Sequence, residues 1–236
     1  MNQDQFYKQI ESNSFFNRWK KSLKNDDIIL RPVKKEILKI IEKKIVLKNI
    51  KVLEIGSFIS DLLYFLKKKY NCKIEGVEPS SKACKFAKEK YNIKIINKTF
   101  YRSKFFGLKT KYKNKFDLII CDDVLSWMDR SIILETLSSL NWILKENGHI
   151  FIRDFSPTKN FAHKNHHWPK QNILNFKVAG GHKNFFINSG KYKIVYNKEY
   201  YSKKFQKIRI SHKQSHLWGD TLLKKTLDYQ HKVIKI

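Results

Sequence analysis

Apolar residues recur along this chain in two rhythms. In ILRPVKKEILKIIEKKI, Ile37, Leu38, Ile40, Ile41 and Ile45 fall at helical spacing, and Pro32 suits the first turn of that helix. From Lys51 onward, short apolar runs alternate with amphipathic stretches. The runs predict strands at Lys51–Ile55, Cys72–Val77, Ile93–Ile96, Phe116–Cys121 and His149–Phe155. The stretches predict helices at Asp61–Lys69, at Ser80–Tyr91 with Ser80 or Ser81 as cap, and at Arg130–Leu144, ended by the Asn147-Gly148 turn. Most of these strands are apolar on both faces, which predicts a parallel sheet covered by helices on both sides.

After Pro157 the pattern changes. HKNHHWPKQN is polar, aromatic and rich in histidine. Tyr192–Tyr200 and Phe205–Lys213 then alternate like antiparallel strands, and GDTLLKKTLDYQHKV reads as a closing helix. Two strands and a short helix are too little for a separate core, so the tail belongs with the preceding sheet. The expected organisation is an N-terminal helical extension or lid over residues 1–50 and one domain over 51–236. That domain divides into a cofactor half, 51–157, and an acceptor-side half, 158–236.

Composition narrows the picture. No apolar run approaches the ~18 residues of a membrane span, and the N-terminus lacks a signal-peptide pattern. Cys72, Cys84 and Cys121 are scattered, without metal-binding spacing, and read as buried thiols. These features point to a cytoplasmic protein. The formal net charge of +28 is carried almost wholly by lysine, with arginine only at 18, 31, 102, 130, 153 and 209. Lysine, asparagine and isoleucine are all abundant, as codon bias produces. Dedicated nucleic-acid readers lean on arginine forks, so the charge alone does not favour nucleic acid as partner.

Acidic residues are scarce, yet they collect at the carboxyl ends of the predicted strands, where open parallel sheets bind ligands. Glu54 and Gly56 close the first strand, Glu78 the second, Asp122 and Asp123 the fourth, and Asp154 the fifth. Glu78 lies about twenty residues past the Gly56 turn, the spacing at which a carboxylate accepts hydrogen bonds from ribose hydroxyls. Glu78 also precedes a helix, where a carboxylate stabilises the N-terminus. The turn itself, Gly56-Ser57-Phe58-Ile59-Ser60-Asp61, is poor in glycine. Phe58 and Asp61 oppose the approach of a pyrophosphate to bare backbone. A cofactor with a cationic centre and no phosphate escapes that objection, and S-adenosylmethionine is such a cofactor.

VLEIGSFISDLLYFL, IEGVEPSSKACKFAKEKYNIKIINKTF, FDLIICDDVLSWMDR and LNWILKENGHIFIRDFSP resemble, in order, the successive motifs of class I S-adenosylmethionine-dependent methyltransferases. The resemblance runs from about Val52 to Pro157. It implies a Rossmann-like, mostly parallel seven-stranded sheet with an antiparallel last strand. It implies that Glu54, Gly56, Ser57, Phe58 and Ser60 hold the methionine part, and Glu78 with Pro79 the ribose. It implies that Thr99 and Phe100 flank the adenine, and that Asp122, Asp123 and Leu125 line the methyl-donating side. The family usually has ExGxGxG; here Phe58 and Ser60 stand at the second and third glycines. The C-terminal part resembles a bacterial branch associated with surface-polysaccharide and sugar modification.

The reading that follows is methyl transfer to a small-molecule or carbohydrate hydroxyl. A hydroxyl acceptor needs a base. His163, His166 and His167 follow the fifth strand, and Asp154 is a carboxylate base or a partner that orients a histidine. His166, His167 and Asp154 are the expected catalytic groups. The three histidines also fit an ordinary polar loop, and no metal is expected there. Trp127, Trp168 and Tyr192 are candidates for stacking on a ring or for core packing. Phe15, Phe16 and Trp19 read as a lid or packing segment over the cofactor, with Arg18 and Lys20 meeting its carboxylate or nothing at all. Two alternatives stand: an RNA methyltransferase drawn by the basic surface, and a cofactor-binding protein that transfers nothing.

Overall fold

The computed structural model describes residues 3–20, 23, 30–100, 112–165, 168, 170, 173–201 and 217–226. Helix α1 (Gln3–Phe6), a π-turn at Tyr7–Glu11 and helix α2 (Ser12–Lys20) open the chain. Helix α3 (Pro32–Glu42) follows, with Pro32 in its first turn. Then come β1 (Lys51–Ile55), α4 (Asp61–Tyr70), β2 (Lys73–Val77), α5 (Ser81–Tyr91), β3 (Phe116–Asp122), α6 (Arg130–Ile143) and β4 (Leu144–Phe155). The chain continues through β5 (Phe161–Lys164), β6 (Leu174–Lys177), α7 (Lys183–Asn188), β7 (Tyr192–Tyr201) and β8 (Leu217–Lys225).

One sheet runs in the order β2-β1-β3-β4-β8-β7. The first four strands are parallel, and β8 enters antiparallel between β4 and β7. Alternate residues feed two cores. Val52, Leu118, Ile120, Phe151 and Leu222 face the side covered by α3, α4 and α5. Leu53, Ile55, Ile119, Cys121, Ile150, Ile152 and Leu223 face the side covered by α6. Burial on both faces is why these strands read as continuous apolar runs. Caps set the helix starts: Ser80 Oγ accepts from the Ala83 amide at 3.1 Å, and Asp129 Oδ1 from the Ser131 amide at 2.8 Å.

Three expectations change. Ile93–Ile96 is not a strand. It touches β2 through a single bridge, Val77 to Ile96, made by the Ile96 amide on the Gly76 carbonyl and the Glu78 amide on the Ile96 carbonyl. Among the described residues the sheet therefore has six strands where seven were expected, with that single bridge beside β2. The expected closing helix from Gly219 is instead strand β8 over its described residues. Leu222 and Leu223 are consecutive, fully buried and point into opposite cores, a pairing that suits a central strand and not one helix face. The small hairpin β5–β6 is a further difference: its strands, FAHK and LNFK, are four residues each, too short to show a period. The expected strand at Phe205–Lys213 lies outside the described residues. No helix among the described residues is long and apolar enough to cross a membrane.

Candidate active site

The β1–α4 turn keeps a glycine-type backbone without the glycines. Gly56 has φ +66°, and a side chain there would press on Val124 Cγ2 at 3.1 Å. Phe58 and Ser60 also lie in the left-handed region, at φ +49° and +58°. For L-residues that conformation costs roughly 1–2 kcal/mol each. Packing sustains it at Phe58, whose ring lies against Phe15 and Phe16 and under the Arg31 guanidinium at 4.9 Å. Thus Phe15 and Phe16 of α2 pack on the turn. Asn13 of α2 also accepts from the Ser80 hydroxyl at 2.9 Å and the Lys82 amide at 3.2 Å. Arg18 is spent on Glu11, at 2.6 Å.

Glu78, at the end of β2, joins the two βα turns. One carboxylate oxygen accepts from the Phe58 amide at 2.9 Å and the other from the Ser80 amide at 2.8 Å. Burial outweighs these bonds and pushes its carboxyl up to about 7. Asn97 holds the Glu78 and Pro79 carbonyls, both at 2.9 Å. Phe100 is buried in the core beneath β2, and Thr99 is half-buried beside it.

The acidic rim has its own cations. Lys34 of α3, 2% exposed, lies 2.5 Å from Glu54 Oε1 and 2.8 Å from Asp122 Oδ2, clamping β1 to β3. Arg31 makes a forked pair with Asp61 at 2.8 and 2.9 Å. Arg153 does the same with Asp220 at 2.6 and 2.8 Å. These cations hold Asp61 and Asp122 below the usual carboxylate range despite burial. Glu54 is fully buried, and there desolvation wins over Lys34, raising it to about 7. The rim is therefore a paired network and not the bare acidic surface that the sequence suggested. Within it, Glu54 Oε2, Ser57 Oγ and Ser60 Oγ are buried with no hydrogen-bond partner among the described residues. Uncommitted acceptors beside a left-handed turn fit the cationic, hydrogen-bonding amino-acid end of S-adenosylmethionine.

Beyond β3 the chain builds a second, more aromatic wall. Asp123, also left-handed, accepts from the Trp127 indole at 2.8 Å. Asp123 is exposed, and crowding by protein groups and the nearby Asp154 raises its carboxyl above the usual range. Leu125 is buried in the one-turn 3₁₀ segment Leu125–Trp127. Asp154 accepts from the Ser126 amide at 2.9 Å and the Phe155 amide at 2.7 Å. The histidine beside it is His182, at 3.5 Å. Tyr7 touches Trp127 edge-on and donates to Asn175 at 3.1 Å, while Asn165 donates to Tyr7 at 3.3 Å. Trp168 donates to Glu11. The β5–β6 hairpin thus closes against the N-terminal helices and the Trp127 turn.

The expected bases fare unevenly. His166 and His167 lie outside the described residues. His163 is half-buried on β5, with Nδ1 2.9 Å from the Lys164 carbonyl. Tyr192 is core, packed on Phe186 and bonded to Asn141. Sequence reasoning missed Arg31, Lys34, His182 and the Tyr7–Asn165–Asn175 cluster. The scarcity of arginine was a usable signal for Arg31, but one lysine in so lysine-rich a chain carries none.

Strand order, acid-ended strands and the β1 turn together define a Rossmann-like methyltransferase fold. Residues 47–213 match the methyltransferase domain family, and the chain belongs to it. It is an S-adenosylmethionine-dependent methyltransferase domain. Solved structures share the fold. One is the Burkholderia thailandensis 1,6-didemethyltoxoflavin-N1-methyltransferase with bound 1,6-didemethyltoxoflavin and S-adenosylhomocysteine, at 13% identity and TM-score 0.60, covering 90% of this chain and 84% of that one. Another is a candidate sarcosine dimethylglycine methyltransferase from Galdieria sulphuraria, at 15% and 0.63, covering 91% and 98%. A third is a Haemonchus contortus phosphoethanolamine N-methyltransferase with phosphomonomethylethanolamine and S-adenosylhomocysteine, at 10% and 0.60, covering 96% and 60%. No curated protein matches the sequence. The resemblance to a polysaccharide-modifying branch gains no support from these likenesses.

Proposed function

We propose that the protein transfers the methyl group of S-adenosylmethionine to a hydroxyl or amine of a small molecule. The observation that carries this is Glu78, buried at the end of β2 and bonded to the Phe58 amide of the β1 turn. When bound, S-adenosylmethionine supplies an electrophilic methyl carbon on a sulfonium. Ionised Glu78 retains lone pairs for two ribose hydroxyls, with Pro79 beside it. Glu54, Gly56, Ser57, Phe58 and Ser60 receive the methionine end. Thr99 and Phe100 flank the adenine, and Asp122, Asp123 and Leu125 border the methyl. Lys34 and Arg31 fix this frame by neutralising the acids within it.

The acceptor lies between Tyr7, the Trp127 turn and the β5–β6 hairpin. Aromatic walls with a few polar groups suit a small organic molecule, and two of the likened structures hold one. A saccharide hydroxyl remains within this class. Asp154 takes one backbone amide on each oxygen and lies 3.5 Å from His182, an arrangement that suits a positioning residue. The test is transfer of tritiated methyl to a low-molecular-mass cell extract, set against transfer to total RNA. Label in the small-molecule fraction supports the proposal. Label confined to RNA, or none, refutes it.

A further inference from the structure

Lys177 is out of keeping with its place. It sits on β6 and is only 4% exposed, and unlike the buried Lys34, Lys183 and Lys225, which bond carboxylates or carbonyls, its amine lies against aromatic rings. Its Nζ lies 3.1 Å from the centre of the Phe155 ring, at the carboxyl end of β4, with the Phe161 ring at 5.5 Å on the paired strand. It shares the inner face of the hairpin with Asn175, two residues earlier, which bonds Tyr7. The hairpin packs on the Leu125–Trp127 turn. Asp154 on β4 and Asp123 after β3 both act on its charge. His163 faces Asn175 across the hairpin, and Tyr7 approaches from the N-terminal helices.

We infer that Lys177 is the proton acceptor of methyl transfer, its amine taking the proton that the acceptor's O–H or N–H gives up. This rests on the proposed function above. Burial disfavours the ammonium and brings Lys177 down to about 8, so a neutral fraction exists near neutrality. Asp154 and Asp123 do not abolish that shift, and they stabilise the ammonium as it forms. The Phe155 ring face does the same. The balance is simple. The acceptor's lone pair forms the new bond to the methyl carbon, the carbon–sulfur pair stays on sulfur, and the acceptor's proton bonds to Nζ and later leaves to water.

Two measurements test this. In protein labelled with ¹³C and ¹⁵N on lysine, Nζ of Lys177, assigned by its loss in Lys177→Arg, should titrate near pH 8, well below the surface lysines. This needs no acceptor. The second is the tritium assay with the low-mass extract on Lys177→Met, with S-adenosylhomocysteine calorimetry on the same sample to show an intact fold. Transfer should fall at least 100-fold, while affinity for S-adenosylhomocysteine stays within twofold. A Lys177 that remains protonated at pH 10, or a Lys177→Met protein within threefold of wild type in transfer, overturns the assignment. Failure of the wild type to bind S-adenosylhomocysteine would instead refute the proposed function itself.

Discussion

The two halves of the site are held together in opposite ways. On the cofactor side, charge does the joining: Lys34 ties Glu54 to Asp122, Arg31 ties Asp61, and Glu78 gathers two backbone amides. On the acceptor side, single side-chain hydrogen bonds and aromatic edges do it, across very long stretches of chain. Tyr7 meets Asn175 168 residues away, and Glu11 meets Trp168 157 residues away. The first arrangement fixes a constant ligand within one βαβ frame. The second depends on how two distant segments happen to meet, and is therefore the part free to change with the acceptor.

Breaking the cofactor side should cost most. Lys34→Met leaves Glu54 and Asp122 buried without their cation, and we expect a loss of about 3–5 kcal/mol in denaturant unfolding. A loss under 1 kcal/mol would mean that the clamp is not holding β1 to β3.

Next comes pH. Glu78 is raised to about 7 in the folded protein, above its unfolded value. Its protonated form therefore favours folding below the unfolded value, and that contribution is lost as pH rises through 7. Glu78→Gln removes the dependence. From pH 4 to pH 8 the variant should gain about 3 kcal/mol on the wild type, read from paired unfolding curves. Parallel curves would show that Glu78 is not desolvated.

The acceptor side is the milder perturbation. Tyr7→Phe deletes the hydroxyl shared by Asn165 and Asn175, at a cost of about 1–2 kcal/mol. S-adenosylhomocysteine affinity should stay within twofold, because no residue of the turn is touched; a larger change would mean that the halves are coupled. The smallest effect is a gain. Ser60→Gly relieves a left-handed serine with an orphaned hydroxyl, for about 1 kcal/mol or roughly 2–4 °C in melting temperature. Destabilisation would mean that Ser60 Oγ has a structural role.

The same contrast governs what the sequence disclosed. Strand ends were readable because parallel strands buried on both faces are unbroken apolar runs, and the acids that follow them stand out in a basic chain. Glu54, Glu78, Asp122 and Asp154 all sit at the sheet's carboxyl edge for that reason. Their cations were not readable. Lys34 lies twenty residues before Glu54 on a helix whose pattern shows only its apolar stripe. Strand β8 was misread because GDTLLKK has no alternation once both faces are buried. The hairpin is hidden because strands of four residues carry almost no periodic signal. Phe58 shows the opposite failure. Absent glycines suggested a changed turn, yet packing by Phe16 and Arg31 preserves the backbone that glycine would have adopted.

The central claim is that the β1 turn and Glu78 form a working S-adenosylmethionine site. Calorimetric titration of S-adenosylhomocysteine into wild type and Glu78→Ala at pH 8 tests it most directly. The account predicts saturable one-to-one binding by the wild type, weakened at least about tenfold in the variant, the loss of one charge-assisted bond to ribose. A wild type that releases no heat of binding, or a variant of equal affinity, would contradict it.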